Sequence, residues 1–117
     1  MEWLIRLSLA LNVAVLVPVT AGLIRNAGWT AAAYGAPSPA RGILLSIYLA
    51  IMLVSIGLLF KPLPAMVAAL LIVQIVYKVT TPISVGTLAN PVVLSNLAIA
   101  AFHAVTLRSI AAARGWF

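Results

Sequence analysis

Four long apolar stretches make up most of this chain and limit what it can fold into. They cover about residues 4–24, 42–60, 63–79 and 91–110. Each is close to the ~20 apolar residues that a helix needs to cross the hydrocarbon core of a bilayer. An open strand in lipid would leave its backbone groups without hydrogen-bond partners. The sequence therefore predicts an all-α fold, a four-helix transmembrane bundle with antiparallel up-down helices and short loops, in a single integral membrane domain over residues 1–117.

Composition supports lipid as the main solvent. Hydrophobic residues make up 65% of the chain and charged residues 7%, whereas soluble domains have roughly half and a quarter. Cysteine is absent and Glu2 is the only carboxylate side chain in these 117 residues. Disulfides, thiolate nucleophiles and mechanisms that need a pair of carboxylates are therefore excluded within this sequence, and an enzyme is the weakest functional hypothesis.

Basic residues are scattered along the chain rather than clustered. They lie at or near the ends of the apolar stretches, at Arg6, Arg25, Arg41, Lys61, Lys78, Arg108 and Arg114. This distribution is typical of interfacial anchors and not of a nucleic-acid-binding patch. Lys78 is expected to extend towards the membrane surface, or alternatively to pair with an anionic head group.

Charge and span number also predict the topology. With four spans, the two termini and the turn at Lys61 lie on one side of the membrane, and that side carries one more basic residue than the other. The positive-inside rule therefore favours cytoplasmic termini, in a bacterial-type inner membrane or a plasma membrane. Glu2 and the length of the first stretch argue against a cleaved signal peptide and for a retained first span.

Small residues recur at every fourth position in two of the predicted spans. The candidate packing residues are Ala10, Ala14 and Gly22 in the first span, together with Pro18, and Gly42, Ser46 and Ala50 in the second. Such stripes allow close approach of two helix backbones. Packing within the bundle and a seam between copies are both compatible with this pattern. Pro18 is expected to kink the first helix or to free a backbone carbonyl near Ala14.

Polar residues within the spans are the candidates for a binding site. Several share helix faces by their spacing of three, four or seven residues, and together they form a predicted polar seam of Asn12, Tyr48, Gln74, Tyr77, Lys78, Asn96 and His103. The seam could hold the head of a lipid or a quinone, or it could consist of interhelical hydrogen bonds. We predict no metal site, because the spans offer one histidine and no Cys, Asp or Glu.

Short motifs resemble those of the DoxX-like family of four-span membrane proteins. They are Ala21-Gly22, Gly35-Ala36-Pro37 followed by Ser38-Pro39-Ala40, Gly57-Leu58-Leu59, and Asn96-Leu97-Ala98-Ile99. The first span ends in Gly22-Leu23-Ile24-Arg25, where the family has a Gly-x-x-Lys pattern. The resemblance implies an integral four-helix protein, often a subunit or partner of membrane redox systems, and it carries over no catalytic residue. Small multidrug transporters have similar dimensions, but they need an acid in the first span.

Three functional hypotheses follow. The first is an accessory or scaffold subunit of a membrane complex, redox complexes included, because loops this short cannot form a soluble site. The alternative is a binding or carrier protein for a lipid-like or quinone-like molecule in the polar seam. A homo-oligomeric small transporter is a further alternative, although no buried acid is present for ion coupling. The expected partners are the lipid bilayer and either other membrane subunits or a second copy, with no nucleic acid.

Overall fold

The computed structural model describes residues 1–116, and most of these residues are helical. The five helices are α1 (Glu2–Arg25), α2 (Gly28–Tyr34), α3 (Pro39–Phe60), α4 (Pro64–Val85) and α5 (Pro91–Arg114). All except α2 are long and apolar enough to cross a membrane. The predicted all-α class, the four spans and the assignment as an integral membrane protein are therefore confirmed. The short helix α2 was not predicted, and it lies in the connection expected to be a loop.

Helix α4 extends six residues beyond its predicted end at Val79 and continues through Pro82. A proline has no backbone N–H, so the Lys78 carbonyl loses its usual helical donor. The Thr81 hydroxyl donates to that carbonyl instead, at 2.7 Å. Gly86 then ends the helix in the left-handed conformation, with φ of 85°. The helix therefore continues beyond the predicted span, because a side chain replaces the missing backbone donor.

The other long helices also differ from the predicted bounds at their ends. Helix α1 runs from Glu2 to Arg25 rather than from Leu4 to Ile24 and continues through Pro18, and α3 begins at Pro39 rather than at Gly42. Helix α5 starts at Pro91, where the Asn90 side chain accepts a hydrogen bond from the Val92 amide at 2.8 Å. A proline in the first turn and an asparagine before it are favourable there, because those amides have no partner inside the helix.

The helices belong to two compact units. The first, called here the α4–α5 unit, contains Met1–Ser8 and the chain from Lys61 onwards. Helices α4 and α5 pack against each other, and buried Val67, Leu71, Val93 and Ile110 contribute to its core. Because the five-residue connection from Gly86 to Asn90 is short, α4 and α5 run antiparallel.

The second unit, called here the α2–α3 unit, spans Leu9–Phe60. Its buried apolar residues include Leu16, Leu23, Ile51 and Leu58. Helix α2 folds back on the end of α1, where a side chain at Gly22 would overlap the indole of Trp29. Glycine at this position therefore permits the close approach of α2.

Large apolar side chains cover the outer surfaces of the long helices. Examples are Leu53 on α3, Val73 and Ile83 on α4, and Val105 on α5. Water would be a poor solvent for so much exposed apolar surface. Their exposure supports contact with the lipid bilayer, the one predicted partner that the fold bears on directly.

Candidate functional site

The most unusual pair in the α4–α5 unit joins Lys78 to Asn96. Both residues are buried, and the Lys78 Nζ lies 3.2 Å from the Asn96 Oδ1. The Tyr77 ring lies beside the same ammonium group, with 4.9 Å between Nζ and the ring centroid. Lys78 does not extend towards the membrane surface as expected. Its cation is buried against a neutral amide and an aromatic ring, and it has no carboxylate partner among residues 1–116.

Gln74 lies one helical turn before Lys78 on α4. It is 1% exposed, and its Nε2 has no hydrogen-bond partner in the described part of the chain. Because α4 and α5 are antiparallel and Lys78 meets Asn96, Gln74 is level with Ala100, near the middle of both helices. A buried donor without an acceptor costs about 1–3 kcal/mol. The unit therefore holds an amide donor without an acceptor, on a residue that lies about 6 Å along the helix axis before the lysine whose ammonium is buried.

His103 belongs to a separate hydrogen-bonded cluster. Its Nδ1 lies 3.1 Å from the Ser8 Oγ, and the same hydroxyl lies 2.7 Å from the Thr106 Oγ1. All three residues are fully buried, and they connect the start of α1 to α5. We did not predict Ser8 and Thr106 from the sequence. Thr106 could have been predicted as a neighbour of His103, because it follows His103 by three residues and therefore lies on the same face of α5.

Two residues of the predicted polar seam lie in the other unit. The Asn12 Nδ2 donates to the Ser55 Oγ at 3.0 Å, which connects α1 to α3. Tyr48 is buried, and its ring packs edge-on against that of Tyr34, with 6.1 Å between centroids. The structure therefore distributes the predicted seam over two units. Gln74, Tyr77, Lys78, Asn96 and His103 lie in the α4–α5 unit, and Asn12 and Tyr48 lie in the α2–α3 unit.

The candidate packing residues differ in their exposure. Gly22 is buried under Trp29, on the inner side of the α2–α3 unit. The other members of the stripes are exposed, namely Ala10, Ala14, Gly42, Ser46 and Ala50.

Arg41 makes more side-chain hydrogen bonds than we expected of an interfacial anchor. It is 7% exposed, and its Nη1 donates to the Gly35 carbonyl at 2.9 Å. Its Nη2 contacts the Thr30 Oγ1 at 2.9 Å, the Asn26 Oδ1 at 3.1 Å and the Leu23 carbonyl at 3.5 Å. Through these hydrogen bonds the guanidinium connects α2 and its flanking turns to the end of α1.

A signal for the burial of Arg41 was present in the sequence. Arg41, Tyr48 and Ser55 are seven residues apart, and all three are buried on one face of α3. Residues at this spacing lie on the same side of a helix. Tyr48 was predicted to belong to the polar seam, whereas Arg41, seven residues before it, was predicted to be an interfacial anchor.

A pocket of about 240 Å³ lies beside Arg41 in the α2–α3 unit. Its polar lining is Asn26, Ser38 and Arg41, and its other lining residues are Leu23, Ile24, Pro37, Gly42 and Leu45. The last turn of α1 and the first turns of α3 supply most of these residues. The pocket therefore combines a polar part with an apolar wall at the ends of two membrane-spanning helices.

Among residues 1–116, no three His, Cys, Asp or Glu side chains come close enough together to hold a metal ion. Comparison with protein-family models, with curated proteins and with solved structures finds no match to this chain. The resemblance to the DoxX-like family therefore stays a prediction.

Proposed function

We propose that this protein binds an apolar molecule with a hydrogen-bond-accepting head, of the quinone type, in the α4–α5 unit. One observation carries the proposal: the Lys78 ammonium is buried against a neutral amide, one turn from the Gln74 amide that lacks an acceptor. Polar groups at this depth are costly, and those that persist in membrane proteins are usually functional.

The donors define the chemistry of the head group. The Gln74 Nε2 and the Lys78 Nζ are donors only, so a ligand must bring oxygen acceptors. A ring carbonyl satisfies this requirement without the cost of bringing an anion to the middle of the membrane. The exposed apolar faces of α4 and α5 are suited to an alkyl tail. A quinone-like or similar lipid-like molecule therefore fits these donors better than a free anion.

The test is equilibrium binding of a radiolabelled decyl-benzoquinone to the protein in lipid nanodiscs. Lys78→Met and Gln74→Leu preserve side-chain size, and each should weaken saturable binding by about tenfold, which is ~1.4 kcal/mol. Thr80→Val is the matched control, because the Thr80 hydroxyl is exposed and bonds the carbonyl of Tyr77 in its own helix. Equal binding by all four proteins would refute the proposal.

A second candidate function is an accessory or scaffold subunit of a membrane complex. It is favoured by the exposure of the stripe Gly42, Ser46 and Ala50 on α3 and of Ala10 and Ala14 on α1. Exposed small residues allow another transmembrane helix to approach closely. The resemblance to the DoxX-like family supports this function, and a second copy on the same surface would correspond to the homo-oligomeric transporter.

Native mass spectrometry of the protein released gently from its own membrane distinguishes these arrangements. A complex with a different chain supports the accessory subunit, and a defined multimer supports the homo-oligomer. A bare monomer under conditions that preserve known membrane complexes would count against both.

We further propose that both termini are cytoplasmic, in a bacterial-type inner or plasma membrane. Support comes from the small excess of basic residues on the side of the termini. Because the sequence contains no cysteine, Ala36→Cys and Ala113→Cys can each be labelled without background. A membrane-impermeant maleimide should label Ala36→Cys in intact cells, and Ala113→Cys only after lysis. The reverse labelling pattern would show that the termini lie on the outer side of the membrane and would refute this proposal.

A further inference from the structure

The Arg41 guanidinium is a buried cation whose hydrogen-bond acceptors in the described part of the chain are all neutral. Its acceptors are the carbonyls of Gly35 and Leu23 and the side-chain oxygens of Asn26 and Thr30. These dipoles orient the guanidinium but do not neutralise its charge. The one carboxylate side chain of the sequence is Glu2, at the opposite end of α1 from Leu23. The α2–α3 unit, which spans Leu9–Phe60, therefore contains a buried positive charge and no acid.

The guanidinium also has hydrogen-bonding capacity left. It carries five N–H donors, and its described contacts involve Nη1 and Nη2. The Nε–H donates to no residue in the described part of the chain. Arg41 lines the pocket together with Ser38 and Asn26, so oxygen atoms placed in the pocket can be reached by a cation and by polar side chains.

The size and position of the pocket restrict its occupant. A volume of about 240 Å³ is below the ~300–1,000 Å³ of pockets that enclose whole drug-sized ligands. It therefore suits a head group rather than an entire lipid. The lining comes from the end of α1 and the start of α3, where lipid phosphates meet a membrane protein. The first turn of α3 adds the partial positive charge of a helix N-terminus.

We propose that this pocket binds a phosphate ester, held by Arg41, and that its natural source is the head group of an anionic phospholipid. Guanidinium and phosphate form short, charge-assisted hydrogen bonds with matching geometry. The apolar wall at Ile24 and Leu45 lies beside the polar part and accommodates the start of an acyl chain. This site lies in the α2–α3 unit, so it is independent of the quinone proposal for Lys78 and Gln74.

Gly42 offers a test that keeps the arginine at position 41. Apart from its two chain neighbours and the backbone of its own helix, a Cβ at Gly42 would meet no atom within 4 Å, and the residue lines the pocket. Gly42→Leu is therefore expected to narrow the pocket without removing the guanidinium. Gly57→Leu is the matched control, because Gly57 is also exposed on α3, also has open space around its Cβ, and does not line the pocket.

The experiment counts phosphatidylglycerol bound to the detergent-purified full chain by native mass spectrometry, with phosphatidylcholine as the reference lipid. The wild type should retain one phosphatidylglycerol in preference to phosphatidylcholine. Gly42→Leu should weaken this binding at least tenfold, and Gly57→Leu should leave it unchanged. Equal retention by both leucine variants would overturn the proposal.

A charge substitution tests the same site independently. Arg41→Gln should weaken phosphatidylglycerol binding as Gly42→Leu does. Arg25→Gln removes one exposed positive charge from the last turn of α1 and should have no such effect. An equal loss in both variants would show general attraction to anionic lipid and overturn the proposal. If Arg41→Gln does not fold, the leucine pair remains decisive because it leaves Arg41 in place.

Competition with glycerol 1-phosphate distinguishes the two sources of the phosphate. Displacement of phosphatidylglycerol by this soluble ester would show that the phosphate alone is recognised and that a free phosphate ester is a ligand. Retention of the lipid at millimolar glycerol 1-phosphate would show that the acyl chain is needed. In either case the specific loss in Gly42→Leu identifies the pocket.

Discussion

The hydrogen bond between Lys78 and Asn96 predicts how two single substitutions and their double variant rank in their effect on the free energy of unfolding. If the lysine is kept for a ligand rather than for folding, Lys78→Met should change the free energy of unfolding little. Asn96→Leu should be clearly destabilising, because it leaves the Lys78 ammonium without its described hydrogen-bond acceptor. The double variant should recover most of the loss, because it removes the cation and the amide together.

The expected changes in the free energy of unfolding are estimated from the position of Lys78 along α4. It lies seven residues before the end of α4 at Val85, which is ~10 Å along the helix axis. A lysine at the centre of a span costs about 2.5–3.5 kcal/mol, and at this depth we expect roughly half of that. The hydrogen bond to Asn96 contributes about 1–2 kcal/mol of stability. The cost of burying the ammonium and the gain from this hydrogen bond therefore nearly cancel.

Lys78→Met should therefore shift the free energy of unfolding by less than about 1 kcal/mol. Asn96→Leu should lower it by about 1.5–3 kcal/mol, as expected for a hydrogen bond to a charged group. The double variant should return to within about 1 kcal/mol of the wild type, which requires a coupling energy well above experimental error.

Reversible unfolding in mixed micelles, followed by tryptophan fluorescence, measures these values, and the chain has three tryptophans as probes. The result that would refute this prediction is a loss of more than about 2 kcal/mol in the free energy of unfolding for Lys78→Met alone, together with a double variant whose loss equals the sum of the two single losses. That outcome would make Lys78 a structural residue whose loss unfolds the α4–α5 unit.

Two further predictions concern packing and hydrogen bonding. A double-mutant cycle of Ser8→Ala and Thr106→Val should give a coupling energy of about 0.6–1.7 kcal/mol, as interhelical hydrogen bonds do in membranes; a coupling of zero would contradict the 2.7 Å contact. Gly22→Ala should destabilise by about 1–3 kcal/mol and shift the emission of Trp29, whose ring occupies the space of the new Cβ. Gly28→Ala is its control, because a Cβ there meets nothing within 4 Å, and equal stability of the two variants would refute the overlap.

The fold class could be predicted because lipid imposes a simple rule on sequence. A run of about 20 apolar residues must become a helix, whatever its neighbours are. The ends of helices follow no such rule. Helix α4 passes through Pro82 because the Thr81 hydroxyl replaces a lost backbone donor, and that compensation depends on a side-chain conformation. Helix α2 has only seven residues, too few for a periodic pattern to identify it.

The candidate sites were only partly predictable for a related reason. Position within a span identified Gln74 and Asn96 as polar groups at a costly depth, whereas Lys78 was expected to extend towards the membrane surface. Their pairing depends on the register between α4 and α5, which hydropathy does not encode. Arg41 has the sequence position of an interfacial anchor. Its burial depends on acceptors from Asn26 and Thr30, which belong to other segments of the chain.

Two buried cations, Lys78 and Arg41, share the absence of an acidic partner in the described part of the chain. With one carboxylate side chain in the sequence, Lys78 and Arg41 are surrounded by neutral oxygens, which orient a cation but leave its charge. A hydrogen bond that only stabilises the fold could use a neutral donor, which would avoid the cost of burying a charge. Lys78 lies about 10 Å inside the end of α4, and a neutral carbonyl is the acceptor that can be brought there at low cost. At the membrane surface, where phosphates are abundant, Arg41 is placed to hold an anion.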